Sequence, residues 1–165
     1  MPKPPACGKA TVRLANAVFL TTPEGIVAVD PAAGWSLDES RNNPFYFFKG
    51  GEKYESARTL IYVNVQRLEV SFQQAIRNDE QEFRQSCQPS RIEDQPQPEI
   101  LEQGCERKTQ IFRCNRTRGA YLDLVTKISV GGLLINVVLS ADNEAEISRY
   151  QKDYNYMLIH LGLAY

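Results

Sequence analysis

The sequence has little of the chemistry on which most enzymes depend. It contains one histidine, His160, and four cysteines among 165 residues. Because histidine is the usual base for a Ser or Cys nucleophile, a catalytic triad would have a single possible base. His160 lies at the border of the apolar stripe of a predicted helix, which indicates a partly exposed boundary residue. We therefore predict no catalytic residue.

Motifs for phosphate and metal binding are also lacking. The Gly50-Gly51 and Gly131-Gly132 pairs are followed by neither Lys-Ser nor Lys-Thr, so neither is a phosphate-binding loop. Zinc sites usually need closely spaced Cys or His pairs, and Cys105 and Cys114, the nearest two cysteines, are nine positions apart. We predict no cofactor and no metal site.

The net charge is also small, and the sequence has no long apolar run. The net charge is −1, which gives no overall field to attract nucleic acid. No apolar run approaches the roughly 20 residues of a membrane helix. The first residues have three prolines and no apolar centre, so we expect no signal peptide in this chain. We predict a flexible arm at 1–8 and one domain at 9–165, with no nucleic-acid partner and no membrane insertion.

The four cysteines are the only indication of the cell compartment. Cys7, Cys87, Cys105 and Cys114 fit two disulfides in an oxidising compartment; four reduced thiols are the alternative. Positions 106–113 read as one extended strand, which holds Cys105 and Cys114 too far apart to bond. Of the two remaining connectivities we favour Cys87–Cys105 with Cys7–Cys114. Paired cysteines predict a periplasmic or secreted protein.

Strand and turn signals dominate the first half of the chain. Pro31 and Gly34 mark a turn just before Trp35. The aromatic run at 45–48 has no polar alternation, which predicts a strand buried on both faces. Positions 59–65 are nearly all β-branched or aromatic, the composition of a second strand.

Two amphipathic helices are predicted. The pair at 71–74 has the spacing of a capping box, and the apolar stripe that follows ends near Cys87. A similar pair at 143–146 begins the second helix, which Gly162 ends. Positions 88–103 are polar and contain three prolines, so we expect a mobile loop there.

Three strands separate the second helix from that loop, at 108–114, 121–128 and 133–139. In the second of them Asp123 and Lys127 share one face. A carboxylate in mid-strand either binds a ligand or forms a cross-strand pair on a solvated face, and we favour the pair. Runs of strands broken by isolated helices indicate the α+β class.

This order of elements resembles the Mog1/PsbP-like fold, and most closely small bacterial secreted or envelope proteins of uncharacterised function. The resemblance runs from about Phe19 to Leu163 and rests on the Gly34-Trp35 turn, the aromatic strand, and the order helix, three strands, helix. It implies a central antiparallel sheet packed with two main helices, an α/β/α sandwich. Known members act by binding: one group binds a small GTPase in the nucleus, and another supports the oxygen-evolving side of photosystem II. Neither role is carried over to this chain.

The leading hypothesis is a non-enzymatic binding or accessory protein of the bacterial cell envelope. It would engage an unknown protein partner or a small apolar ligand through a surface that includes Trp35, Tyr46, Tyr62 and Asp123. One alternative is an enzyme of unknown type that uses Asp123 and tyrosines, which three or more ionisable groups in a deep cleft would favour. The other is a structural or interaction subunit, for which a large exposed apolar patch would be the sign.

Overall fold

The computed structural model describes residues 16–96 and 104–164. The predicted arm at 1–8, with Cys7, lies outside the described residues. Within the described ranges the chain forms ten strands and two helices. The strands are β1 (Val18–Thr22), β2 (Gly25–Val29), β3 (Trp35–Leu37), β4 (Phe45–Lys49), β5 (Leu60–Arg67), β6 (Ser90–Asp94), β7 (Cys105–Cys114), β8 (Tyr121–Val130), β9 (Leu133–Ala141) and β10 (Leu161–Leu163), and the helices are α1 (Phe72–Ser86) and α2 (Glu144–Ile159).

Seven strands form the main sheet, in the order β3-β4-β5-β9-β8-β7-β6. Every neighbouring pair in it is antiparallel. The central strands β5, β9 and β8 are the apolar, β-branched runs of the sequence, because a strand covered on both faces needs such residues. The strands β1, β2 and β10 form a separate antiparallel sheet. The predicted α+β class is confirmed.

The two helices cover opposite faces of the main sheet. Alternate residues of a strand point to opposite faces, so Leu124 and Leu139 pack in the cluster that includes Tyr154 of α2. Their neighbours Val125 and Val138 pack against Phe83 of α1. The sheet therefore lies between α2 and α1, as an α/β/α sandwich requires.

Both helix starts follow the predicted caps. The Ser71 side chain accepts a hydrogen bond from the backbone N–H of Gln74 at 3.1 Å, and Asn143 accepts one from Glu146 at 3.0 Å. The end of α2 differs from the prediction. The helix ends at Ile159 with His160 as its C-cap, and Leu161–Leu163 form β10, which pairs with β2.

Two segments predicted as irregular contain strands. Ser90–Asp94 is β6, paired with the second half of β7, although we expected a loop at 88–103. This strand is short and polar, so only its pairing with β7 identifies it. Trp35, expected at the end of a turn, begins β3, which pairs with 47–49 of β4.

Candidate functional site

Helix α1 leaves part of its sheet face uncovered. Between the helix and strands β5, β9 and β8 lies a groove of about 580 Å³, within the range of sites that bind small ligands. We call it the α1 groove. Its walls include Tyr62, Asp79, Phe83, Asp123, Lys127 and Asn136.

The strand register gives the floor of the α1 groove an apolar centre between two polar ends. In the central row Tyr62, Val138 and Val125 lie side by side across three strands. At one end Asp123 lies opposite Ser140. At the other end Asn136 lies between Asn64 and Lys127. Asp123 and Lys127 are four positions apart on β8, so the two ends are about 13 Å apart.

The carboxyl of Asp123 lies in the floor of the groove. Burial raises the pKa of its carboxyl to about 6; a hydrogen bond from Ser140 opposes the rise, and the nearby Asp79 adds to it. Its Oδ1 atom is sealed from solvent and has no hydrogen-bond partner among the described residues. One oxygen of this carboxylate is therefore a buried acceptor with no donor.

The other end of the groove holds an ion pair between the buried Lys127 and the partly exposed Asp79. Lys127 is 3% exposed, and its Nζ pairs with Oδ2 of Asp79 on α1. The same Nζ lies 5.6 Å from the ring centre of Phe112. Asn136, beside Lys127, has an Oδ1 atom that is sealed from solvent and lacks a hydrogen-bond partner in the described chain. The ion pair fixes α1 to the sheet and leaves Asn136 as a second buried acceptor.

An aromatic cluster adjoins the central row. Tyr46 lies opposite Tyr62 across β4 and β5, with 5.7 Å between the ring centres, and it also contacts Tyr54. Burial raises the pKa of Tyr62, and the charge of Asp123 raises it further. The Tyr62 hydroxyl therefore stays protonated at neutral pH and is available as a hydrogen-bond donor in the groove wall.

Trp35 lies on the opposite face of the sheet. It is 5% exposed, its Nε1 donates to Oδ2 of Asp153 at 2.8 Å, and its ring meets Tyr150 edge-on at 5.4 Å. Trp35 thus packs under α2. Of the four residues predicted as one surface, Tyr62 and Asp123 share the groove, Tyr46 adjoins it, and Trp35 is separate.

Sequence reasoning missed Asp79, Lys127 and Asn136 as site residues. For Lys127 the sequence predicts only that it shares a face of its strand with Asp123. The available signal was Asn136, a polar interruption in a strand that is otherwise apolar from 133 to 139. Such an interruption in a strand buried on both faces indicates a polar contact inside the fold.

The predicted disulfide pairing is wrong. Cys87 bonds to Cys114, with 5.8 Å between the Cα atoms, and not to Cys105. The cause is the missed strand β6: Ser90 pairs with Cys114, which brings the chain just after α1 to the end of β7. Cys105 is also disulfide-bonded, and Cys7 lies outside the described residues. The Cys87–Cys114 bond fixes the C-terminal end of α1 beside the sheet.

The other candidate groups lie elsewhere. Arg113 pairs with Glu93 and with Glu144. His160 is partly exposed, and its Nδ1 lies 2.8 Å from the carbonyl oxygen of Tyr156. The described residues contain no cluster of three or more His, Cys, Asp or Glu arranged to hold a metal. Neither described helix has the length and apolar character needed to span a bilayer.

No protein-family model and no curated protein sequence matches the chain, but solved structures do. PsbP (CyanoP) from the cyanobacterium Synechocystis sp. PCC 6803 is similar over 95% of this chain and 96% of its own, with a TM-score of 0.59 and 13% identity. A point mutant of Mog1 is similar over 87% of each chain, with a TM-score of 0.50 and 9% identity. The chain therefore has a Mog1/PsbP-like α+β fold.

Proposed function

We propose that this chain is a non-enzymatic binding protein and that the α1 groove is its ligand site. One observation carries the proposal: Asp123 and Asn136, which both line the groove, each have a buried side-chain oxygen, Oδ1, without a hydrogen-bond partner among the described residues. These oxygens are two of the three buried side-chain polar atoms without a partner in the described part of the chain, and the third is the donor Arg107 Nε. Buried polar atoms are nearly always hydrogen-bonded, and leaving one unpaired costs about 1–3 kcal/mol. A ligand that supplies donors removes this cost.

The fold supports a binding protein, and the disulfide supports a location in an oxidising compartment. Known Mog1/PsbP-like proteins act by binding, and two helices over one sheet leave a groove of ligand size here. The buried Cys87–Cys114 bond fits an oxidising compartment, because thiols stay reduced in the cytosol. The proposed location is the bacterial periplasm or the outside of the cell, and the proposed role is that of an accessory protein.

An enzyme is the second candidate, and one observation favours it. Six charged side chains line the α1 groove, and Asp123 has a pKa of about 6, close to that of an effective general base. Binding is the stronger interpretation because the Lys127 charge is already paired with Asp79. The described groove walls also contain no histidine or cysteine to act with Asp123.

Filling the groove tests the proposal. Asn78 and Gln81 are exposed amides on α1, and only Asn78 lines the groove. We would incubate the wild-type protein, Asn78→Trp and the matched control Gln81→Trp with a bacterial extract of peptides and metabolites, and then record native mass spectra. We expect one retained species on the wild type and the control, and none on Asn78→Trp.

Two results would overturn the proposed function. One is that no species is retained by the wild type, or that the same species is retained equally by Asn78→Trp. The other is that the retained species is chemically converted at a rate that Asp123→Asn abolishes, which would establish the enzyme instead.

A further inference from the structure

We propose that the ligand of the α1 groove is an extended peptide segment whose arginine or lysine side chain binds at Asp123. This inference rests on the proposed function and adds the charge, shape and class of the ligand. It follows from three properties of the groove: its net charge, the aromatic rings around Asp123, and the distance between the two polar ends.

The charges of the groove walls favour a cation. Four carboxylates and two basic groups line it. Both basic groups already have partners: Arg67 pairs with Glu24 at 3.3 Å, and Lys127 pairs with Asp79. An anionic ligand would meet a surplus of negative charge, and a neutral apolar ligand would leave Asp123 Oδ1 without a donor. An ammonium or guanidinium group supplies both the charge and the donor.

Aromatic rings lie near the Asp123 end of the groove, and Lys127 Nζ already lies 5.6 Å from the centre of one of them, Phe112. Phe112 lies beside Asp123 in the register of β7 and β8, and its ring centre is 5.0 Å from that of Phe83. Tyr62 lies in the adjoining central row. Cations bind the faces of such rings, more strongly where water is excluded. A carboxylate among aromatic rings is therefore suited to a guanidinium or ammonium group.

The distance between the polar ends indicates a peptide. Four strand positions, about 13 Å, separate Asp123 from the row of Asn136, and four residues of an extended peptide have the same length. The valines of the central row, Val125 and Val138, would contact apolar side chains in the middle of the peptide. A backbone N–H is a neutral donor that fits Asn136 Oδ1. One free amino acid cannot reach both ends.

Capped tetrapeptides test this inference directly. The probes are Arg-Val-Val-Ser and Ser-Val-Val-Arg, N-acetylated and C-amidated, because the direction of the segment is open. Their controls replace arginine with citrulline, which has the same shape and no charge. We expect calorimetry on the wild type and on Gln81→Trp to show at least tenfold tighter binding of one arginine peptide than of its citrulline form.

Asp123→Asn provides the second comparison. We expect it to weaken the arginine peptide about tenfold or more and to bind both forms equally. On the wild type, affinity for the arginine peptide should fall about tenfold from pH 7.5 to pH 5, as Asp123 becomes protonated, and Asp123→Asn should remove this dependence. The other ionisable groups that face Asp123 are Asp79 and Glu82 from α1, Tyr62 from β5, and Tyr121 and Lys127 from β8.

Several outcomes would overturn the inference. Equal binding of the arginine and citrulline peptides to the wild type would exclude cation recognition, and this comparison requires no variant. Unchanged affinity of Asp123→Asn for the arginine peptide would also exclude recognition of the cation by Asp123. The inference also fails if no tetrapeptide binds at 10 mM, about the weakest affinity that calorimetry resolves. If N-acetylarginine amide binds as tightly as the arginine tetrapeptides, the ligand need not be a peptide segment, and that part of the inference fails. If a species from the extract is still retained in the groove, the proposed function stands while this inference fails.

Discussion

Replacing Asp123 with asparagine removes the charge that the α1 groove buries. Burial raises the pKa of this carboxyl from its usual 3.8 to about 6. Each pH unit corresponds to about 1.4 kcal/mol, so the ionised carboxylate costs the folded protein roughly 3 kcal/mol. Asparagine keeps the shape and an acceptor for Ser140 but carries no charge. We expect Asp123→Asn to raise the free energy of unfolding by about 2–3 kcal/mol at pH 8.

The gain in stability should depend on pH. Because the folded pKa lies above the unfolded one, the folded state binds the proton more tightly between about pH 4 and pH 6. Asp123 therefore destabilises the folded state least below about pH 4, where its carboxyl is protonated. The free energy of unfolding falls as the pH rises from 4 through 6 and the carboxyl ionises. Asp123→Asn and the wild type should have the same stability at pH 4 and diverge above it.

Urea denaturation at pH 4, 6 and 8, followed by the fluorescence of the single tryptophan, measures this difference. The matched control is Asp94→Asn, at an exposed carboxylate whose pKa is lowered by hydrogen bonds from Gln110 and Lys108. It should change stability in the opposite direction at pH 8. A loss of stability in Asp123→Asn at pH 8, or a gain of the same size at pH 4 and pH 8, would refute the reasoning.

Three further variants test how α1 is held on the sheet and which face binds. Replacing both Cys87 and Cys114 with alanine should lower the unfolding free energy by about 3.5 kcal/mol in urea, because 27 positions separate them. Asp79→Asn leaves Lys127 buried without its counter-charge and should cost about 2 kcal/mol, most of which Lys127→Met should restore in a double-mutant cycle. Trp35→Phe removes an indole hydrogen bond to α2 and should lower the unfolding free energy by about 1–2 kcal/mol, followed by circular dichroism because this variant has no tryptophan, with peptide affinity unchanged.

Each of these variants has an outcome that contradicts its premise. Equal urea midpoints with and without the Cys87–Cys114 bond would show that α1 is held by packing alone. A double variant of Asp79 and Lys127 no more stable than Asp79→Asn would mean that the two side chains are not coupled. Weaker peptide binding in Trp35→Phe would place the ligand on the α2 face.

The fold followed from the sequence wherever composition and local caps determine an element. Local sequence alone predicts the apolar strands β5, β8 and β9, and it also predicts the helix starts capped by Ser71 and Asn143. Strand β6 does not, because its side chains are mostly polar and its partner lies some twenty positions away along the chain. Missing that pairing also gave the wrong disulfide, since it is β6 that brings Cys87 to Cys114.

The site was predictable only in part. Asp123 and Tyr62 are unusual enough in their strands to be selected from the sequence. The α1 groove itself depends on where α1 lies over the sheet, which the disulfide and the Asp79–Lys127 pair determine through contacts far apart in sequence. Trp35 was grouped with Tyr62 because strand patterns do not show which of two covered faces a lone aromatic joins.

A crystal structure of the protein with the species it retains from the extract is the most direct test of the binding site. We expect donor atoms of that species at 2.7–3.2 Å from Asp123 Oδ1 and from Asn136 Oδ1. A retained species bound outside the α1 groove, or side chains of the protein itself hydrogen-bonded to both oxygens, would contradict the assignment.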